Sequence, residues 1–266
     1  MASHDERMDL GWDLLEQGEY EGAIDVAEAL LSEEPDDIEA MFLSGSALFE
    51  AGDHAEAADR LRRVMQLDPA NIPARLTLAA VLYETCEFDE ALAEVEGAIT
   101  AEPESAYACY LKGLLVDMKG RRQDADELFS KAARLDPEHY RVPPSIARDE
   151  FDRAVEQALA SMPAEFVDRL GNLPILVEEV PTPALLATLE DPAPDLLGLF
   201  VGTPLPERTF QQISMAPDAV YLFKRNLERT AADHEELVDE IRVTLLHEIG
   251  HFLGMDEDDL DEAGYA

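Results

Sequence analysis

GWDLLEQGEYEGAIDVAEALLSEEP at residues 11–35 and GSALFEAGDHAEAADRLRRVMQLDP at residues 45–69 are two versions of one pattern, set 34 residues apart. Pro35, Pro69, Pro103 and Pro137 keep that spacing, as do Ala23, Ala57, Ala91 and Ala125. Gly11, Gly45 and Gly113 hold a third register, with Ala79 as the small substitute; Gly18, Gly52 and Gly120 hold a fourth, with Cys86 as the exception. Four positions kept in register over four copies do not arise by chance. Small residues at the Gly11 and Ala23 positions let two helices of one copy approach closely. The Gly18 position opens the turn between them, because glycine accepts a positive φ. The proline stops the second helix, since it cannot continue the hydrogen-bond ladder.

A 34-residue period with these residues resembles the tetratricopeptide repeat family, from about Asp5 to His139. The resemblance implies an all-α domain over 1–140, with repeats at about 4–37, 38–71, 72–105 and 106–139. One repeat cannot bury its own apolar face, so stacking makes the core. The expectation is a short right-handed solenoid of eight helices with a concave groove. Repeats that clamp acidic C-termini use lysine and asparagine in that groove. Here Asn71, read as lying in a turn, is the array's one asparagine, and lysine is scarce. The partner expected in the groove is therefore a protein or peptide that is basic or apolar.

Arg141-Val142-Pro143-Pro144-Ser145 is a proline-stiffened linker over 141–145. Ser145 is placed to cap a helix from about Ile146 to Ser161 that carries Phe151, Val155 and Leu159 on one stripe. That helix either caps the repeats or opens a second domain, over 146–266. A short helix around Ala164 to Leu170 ends at Gly171. Pro174 to Val180 reads as a strand, Pro181 to Pro217 as loops and turns, and Ala219 to Phe223 as a second strand. Asp233 is an N-cap for a long helix to about Leu253, with Gly254 to end it. Strands mixed with helices predict a small α+β domain.

The chemistry lies in His247-Glu248-Ile249-Gly250-His251. Two imidazoles four residues apart share one helix face, which gives a zinc ion two nitrogen ligands from one rigid element. Glu248 lies beside them, where it can polarise a water. Gly254 lets the chain turn back, and Asp256, Glu257, Asp258 and Asp259 follow at once, so that one carboxylate can become the third ligand. The longer pattern His247-Glu-x-x-His251-x-x-Gly254-x-x-Glu257 resembles the extended motif of metzincin-type zincins, whose last position is usually His, or Asp in some branches. Glu257 takes that position by register, and Asp256 is the alternative.

Residues 146–265 are similar to a family of very small bacterial zincin-like domains, the minimal metalloproteases. The likeness is carried by LLGLFVGTPL at 196–205, VYLFKR at 220–225 and DLDEAGY at 259–265. It implies a compact α+β zincin core whose active-site helix is the last long element. It also implies zinc as cofactor, held by His247, His251 and Glu257 (or Asp256), with Glu248 as the catalytic base. An edge strand before that helix binds the peptide in zincins, a role the resemblance assigns to Ala219–Phe223. Glu240 and Thr244 share the His247 face and read as surface residues. Tyr265 reads as a packing residue.

Composition narrows the partners. With 59 acidic residues against 20 basic ones the formal net charge is −39, a field that repels phosphate backbones and anionic membranes. Nucleic acid and membrane are thus not expected as partners. No run of about 18 apolar residues occurs, and Met1 to Asp9 is polar. Cys86 and Cys109 are neither at metal-ligand spacing nor a disulfide framework, which fits a reducing cytoplasm. His4, His54, His139 and His234 lack partners at ligand spacing. The sequence thus predicts a multidomain cytoplasmic zinc metallopeptidase whose repeats recruit a protein substrate or adaptor. The alternative is a non-catalytic interaction adaptor with a structural or inert metal site.

Overall fold

The computed structural model describes residues 3–162, 167, 169–171, 173–207, 218–256 and 258–260. They form two compact units: Met1–Tyr140 with Leu186–Ala193, and Arg141–Leu185 with Pro194–Ala266. The short helix expected at Ala164 to Leu170 falls largely outside the described residues.

The first unit is built from α1 (His4–Glu16), α2 (Tyr20–Glu33), α3 (Ile38–Glu50), α4 (His54–Leu67), α5 (Ile72–Glu84), α6 (Phe88–Ala101), α7 (Ala106–Met118) and α8 (Arg122–Leu135). The prolines lie two residues beyond the second helix of each pair. Ala23, Ala57, Ala91 and Ala125 are fully buried. A Cβ on Gly113 would come within 2.5 Å of Phe129 Cε1, and one on Gly45 within 2.9 Å of Leu61 Cγ, so the small residue admits the facing helix.

A further periodic signal comes from the caps. Ser3, Asp37, Asn71 and Ser105, each 34 apart, accept hydrogen bonds from first-turn amides of α1, α3, α5 and α7. Asn71, read from sequence as a turn residue, is thus the N-cap of α5. The second helices have no side-chain caps. They are entered instead through a left-handed residue that closes the helix before: Gly18, Gly52, Cys86 and Gly120 have φ of 78°, 86°, 62° and 73°. The amide one residue further on returns to a carbonyl five residues back, as Glu87 N–H does to Leu82 at 2.7 Å. Cys86 therefore keeps the backbone of its register while lacking the residue that suits it.

The remaining elements are α9 (Arg148–Ser161), β1 (Ile175–Glu178), a single turn α10 (Pro183–Leu186), β2 (Gly198–Val201), a 3₁₀ turn at Leu205–Glu207, β3 (Ala219–Phe223), α11 (Lys224–Thr230) and α12 (His234–Leu253), all in the second unit except Leu186 at the end of α10. Ala147, not Ser145, takes the N-cap position of α9, and no side chain caps it. The α9 stripe of Phe151, Ala154, Val155 and Ala158 joins the core of this unit with Leu237, Ile241, Leu245 and Ile249 of α12. Asp233 caps α12 by accepting from Glu235 and Glu236 amides, and Gly254 ends it at φ 87°.

The sheet order is β1-β3-β2, with β1 parallel and β2 antiparallel to β3. Ala219–Phe223, expected as the edge strand, is thus central. Gly198–Val201, inside the stretch expected as loops, pairs along its other side. Leu196 to Val201, an apolar run interrupted by Gly198 and bounded by Asp195 and Gly202, shows no alternation, so periodicity could not separate this strand from a loop. Among the described residues no helix is long and apolar enough to cross a membrane.

The Cys86 backbone gives a clean test. Cys86→Gly is expected to raise stability by about 1 kcal/mol, since a non-glycine residue is strained in the left-handed region. Gly52 has open space around a Cβ, so Gly52→Ala should lower stability by about the same amount through backbone strain alone. Urea unfolding midpoints of both variants check this.

Candidate metal centre

The fourth and fifth turns of α12 carry the site. Its inner face is anchored by Ile241, Leu245 and Ile249, all buried. Helical geometry then sets His247 and His251 one turn apart on another face. Their Nε2 atoms face each other at 2.9 Å, with ring centroids 4.6 Å apart and planes at 87°. Two nitrogens on one tetrahedral zinc lie about 3.3 Å apart, so the imidazole pair already converges nearly as a shared ion requires. This donor pair fits zinc in type and in direction.

Glu248 lies beside the pair and is buried, at 8% exposure. A carboxylate with so little water needs a donor. Phe200 of β2 supplies one: its backbone N–H donates to Glu248 Oε2 at 2.5 Å. Phe223 N–H bonds to Leu197 C=O, so Leu199 and Val201 turn their polar groups toward β3 while Gly198 and Phe200 turn theirs outward. The Phe200 amide thus reaches Glu248 from the free flank of an edge strand.

That approach depends on Gly198. A Cβ there would stand 2.7 Å from Thr244 Cγ2 and 2.8 Å from Glu248 Cγ. Thr244, read from sequence as a surface residue, is buried at this crossing. Phe200 also packs edge-on against Phe252, ring centroids 5.6 Å apart. Gly198, Phe200 and Thr244 are the site residues that motif reading missed. The available signal was a glycine inside an apolar run, which marks close approach of backbone to a neighbour.

The third ligand is less complete. Glu257, first by register, lies outside the described residues, as does Tyr265. Asp256 is exposed, and its Oδ1 accepts from the Asp259 amide at 3.0 Å, capping the turn at 258–260. Among the described residues no group of three or more His, Cys, Asp or Glu side chains is gathered to hold a metal ion. The imidazoles form a pair, with Glu248 alongside.

Residues 170–265 match the family model of the zincin-like metallopeptidase, and residues 8–72 and 48–115 match tetratricopeptide repeat models. No curated protein matches the chain. Among solved structures, MamA from Desulfovibrio magneticus RS-1 is 26% identical over 57% of this chain and 80% of its own, with a TM-score of 0.46. YrrB, described as a TPR protein with an unusual peptide-binding site, is 25% identical over 48% of this chain and 66% of its own, with a TM-score of 0.44.

Gly198→Ala is expected to destabilise the chain by about 1–3 kcal/mol, the usual cost of overpacking. Thr244→Ser removes the methyl it meets and should restore part of that loss. Thermal unfolding of the single and double variants measures the coupling.

Proposed function

We propose, for a chain in which tetratricopeptide repeats precede a zincin-like metallopeptidase domain, a zinc-dependent peptidase whose repeats recruit a protein substrate or adaptor. The observation that carries this reading is the converging imidazole pair beside a buried glutamate that is held by a strand amide. His247 and His251 would hold the ion, with Glu257, or Asp256 as the alternative, completing the protein ligands. A zinc ion there supplies Lewis acidity toward a peptide carbonyl and its attacking water.

Glu248 then acts as the base. Its carboxylate takes a proton from the attacking water and later gives it to the leaving amine. The Phe200 N–H directs one carboxylate oxygen by a charge-assisted hydrogen bond and so fixes where the other can act. Main-chain pairing of a bound peptide falls to an edge strand, β1 or β2, because among the described residues β3 has strands on both sides. The repeats supply the partner-binding surface, suited by charge and composition to a basic or apolar peptide. The free thiols Cys86 and Cys109 are consistent with a cytoplasmic setting.

Glu248→Gln should keep zinc and lose peptide cleavage by about a hundredfold or more, the usual contribution of a general base. His247→Ala with His251→Ala should lose the metal. Zinc per chain by elemental analysis and cleavage of a peptide library by mass spectrometry report the two separately. Zinc loss in Glu257→Ala but not in Asp256→Ala would assign the third ligand. The competing reading, a repeat adaptor with an inert metal site, gains if Glu248→Gln and the parent protein are equally inactive on every peptide while both retain zinc.

A further inference from the structure

A cavity of about 650 Å³ runs along the first helices of the repeats. Trp12 and Glu16 of α1, Phe49 and Glu50 of α3, and Tyr107 of α7 line it, and no lysine, arginine or histidine is among its lining residues. Some of the array's carboxylates are tied to cations that bridge helices, as Glu33 is to Arg7, Glu28 to Arg60 and Glu94 to Arg75, at 2.7, 2.8 and 2.6 Å. Glu16 and Glu50 have no such partner among the described residues. They are one 34-residue period apart, so the repeat itself sets them in line.

The walls between them are aromatic. Tyr107 is 38% exposed, among the largest apolar surfaces left open in the array. Trp12 packs on Phe42 with centroids 5.4 Å apart, which fixes its ring. The negative field reaches Tyr107: burial pushes its phenol up to about 12, and Tyr140, Glu50, Glu84 and Tyr110 add to the push. A groove with aromatic faces and uncompensated carboxylates is complementary to a flat, weakly hydrated cation that stacks and donates at once. Guanidinium meets both demands, whereas ammonium is a strongly hydrated point charge. The volume exceeds one side chain, so the cation arrives on a stretch of extended peptide.

We propose that this groove takes an arginine side chain of an extended basic peptide, seating the guanidinium against Trp12, Phe49 and Tyr107 with Glu16 and Glu50 as counter-ions. The proposal deepens, and rests on, the reading that the repeats recruit a protein partner. It gives that partner a chemistry opposite to the acidic tails that lysine-lined repeats clamp.

Trp12 is the single tryptophan of the chain, so intrinsic fluorescence reports on this groove. The full-length protein is titrated with Gly/Ser peptides carrying arginine, lysine, glutamine, glutamate or leucine at the same alternate positions. The arginine peptide should change Trp12 emission saturably, the lysine peptide should bind more weakly, and the glutamine and glutamate peptides should not bind. Glu16→Gln with Glu50→Gln, exposed changes that leave helix content intact by circular dichroism, should weaken arginine binding by about tenfold, as loss of charged hydrogen-bond partners does. Equal binding of arginine and glutamine peptides, or unchanged binding by the double variant, overturns the proposal. If the leucine or glutamate peptide binds and the arginine peptide does not, recruitment by the repeats stands and this inference falls. If none binds, both fall, while zinc content and cleavage still judge the peptidase reading independently.

Discussion

A carboxylate at 8% exposure has little water to bond, and Glu248 finds a donor in the backbone of a strand. Much of the second unit's architecture serves that hydrogen bond. β2 must cross α12 within side-chain contact, which Gly198 permits. α12 must present Glu248 to that strand, which follows from burying Leu237, Ile241, Leu245 and Ile249 against α9 and the sheet. The imidazoles then fall on the neighbouring face by helical geometry alone. The direction of the imidazole pair and the position of Glu248 are two results of one packing arrangement.

The repeats solve a different problem with a shorter rule. Each first helix is opened by a side-chain cap and closed by a left-handed residue whose hydrogen bonds start the second helix. Both devices are local, and their repetition every 34 residues makes the stack. Strain appears where one copy departs from the rule: Cys86 takes the left-handed conformation because the neighbouring copies and its own helix pair over-determine it.

The charge of −39 is distributed unevenly in its consequences. Most exposed acids are solvated, and several of the array's arginines tie helices together, as Arg62 of α4 does to Glu90 of α6. Exposed pairs of this kind contribute little each, on the order of 0.2–1 kcal/mol. No lysine, arginine or histidine lines the aromatic groove, where Glu16 and Glu50 are the charged side chains. In the second unit two cations go inward: Lys224 and Arg225 both meet the buried Glu228, which also accepts from the Ile146 amide at 2.9 Å. That cluster ties the start of the unit to the helix after β3.

By itself the sequence determined whatever depends on near neighbours in the chain. The 34-residue period, the paired helices, the caps of α12 at Asp233 and Gly254, and the shared face of His247 and His251 are all set by local spacing and local hydrogen bonds. The tertiary structure decided what depends on distant segments meeting. It made Ala219–Phe223 a central strand, because Gly198–Val201 pairs with its far side. It buried Thr244 and gave Glu248 its donor, because a strand 48 residues earlier comes to lie on that helix. Neither fact leaves a periodic trace, since a four-residue strand and a single backbone amide are specified only by the partners they reach.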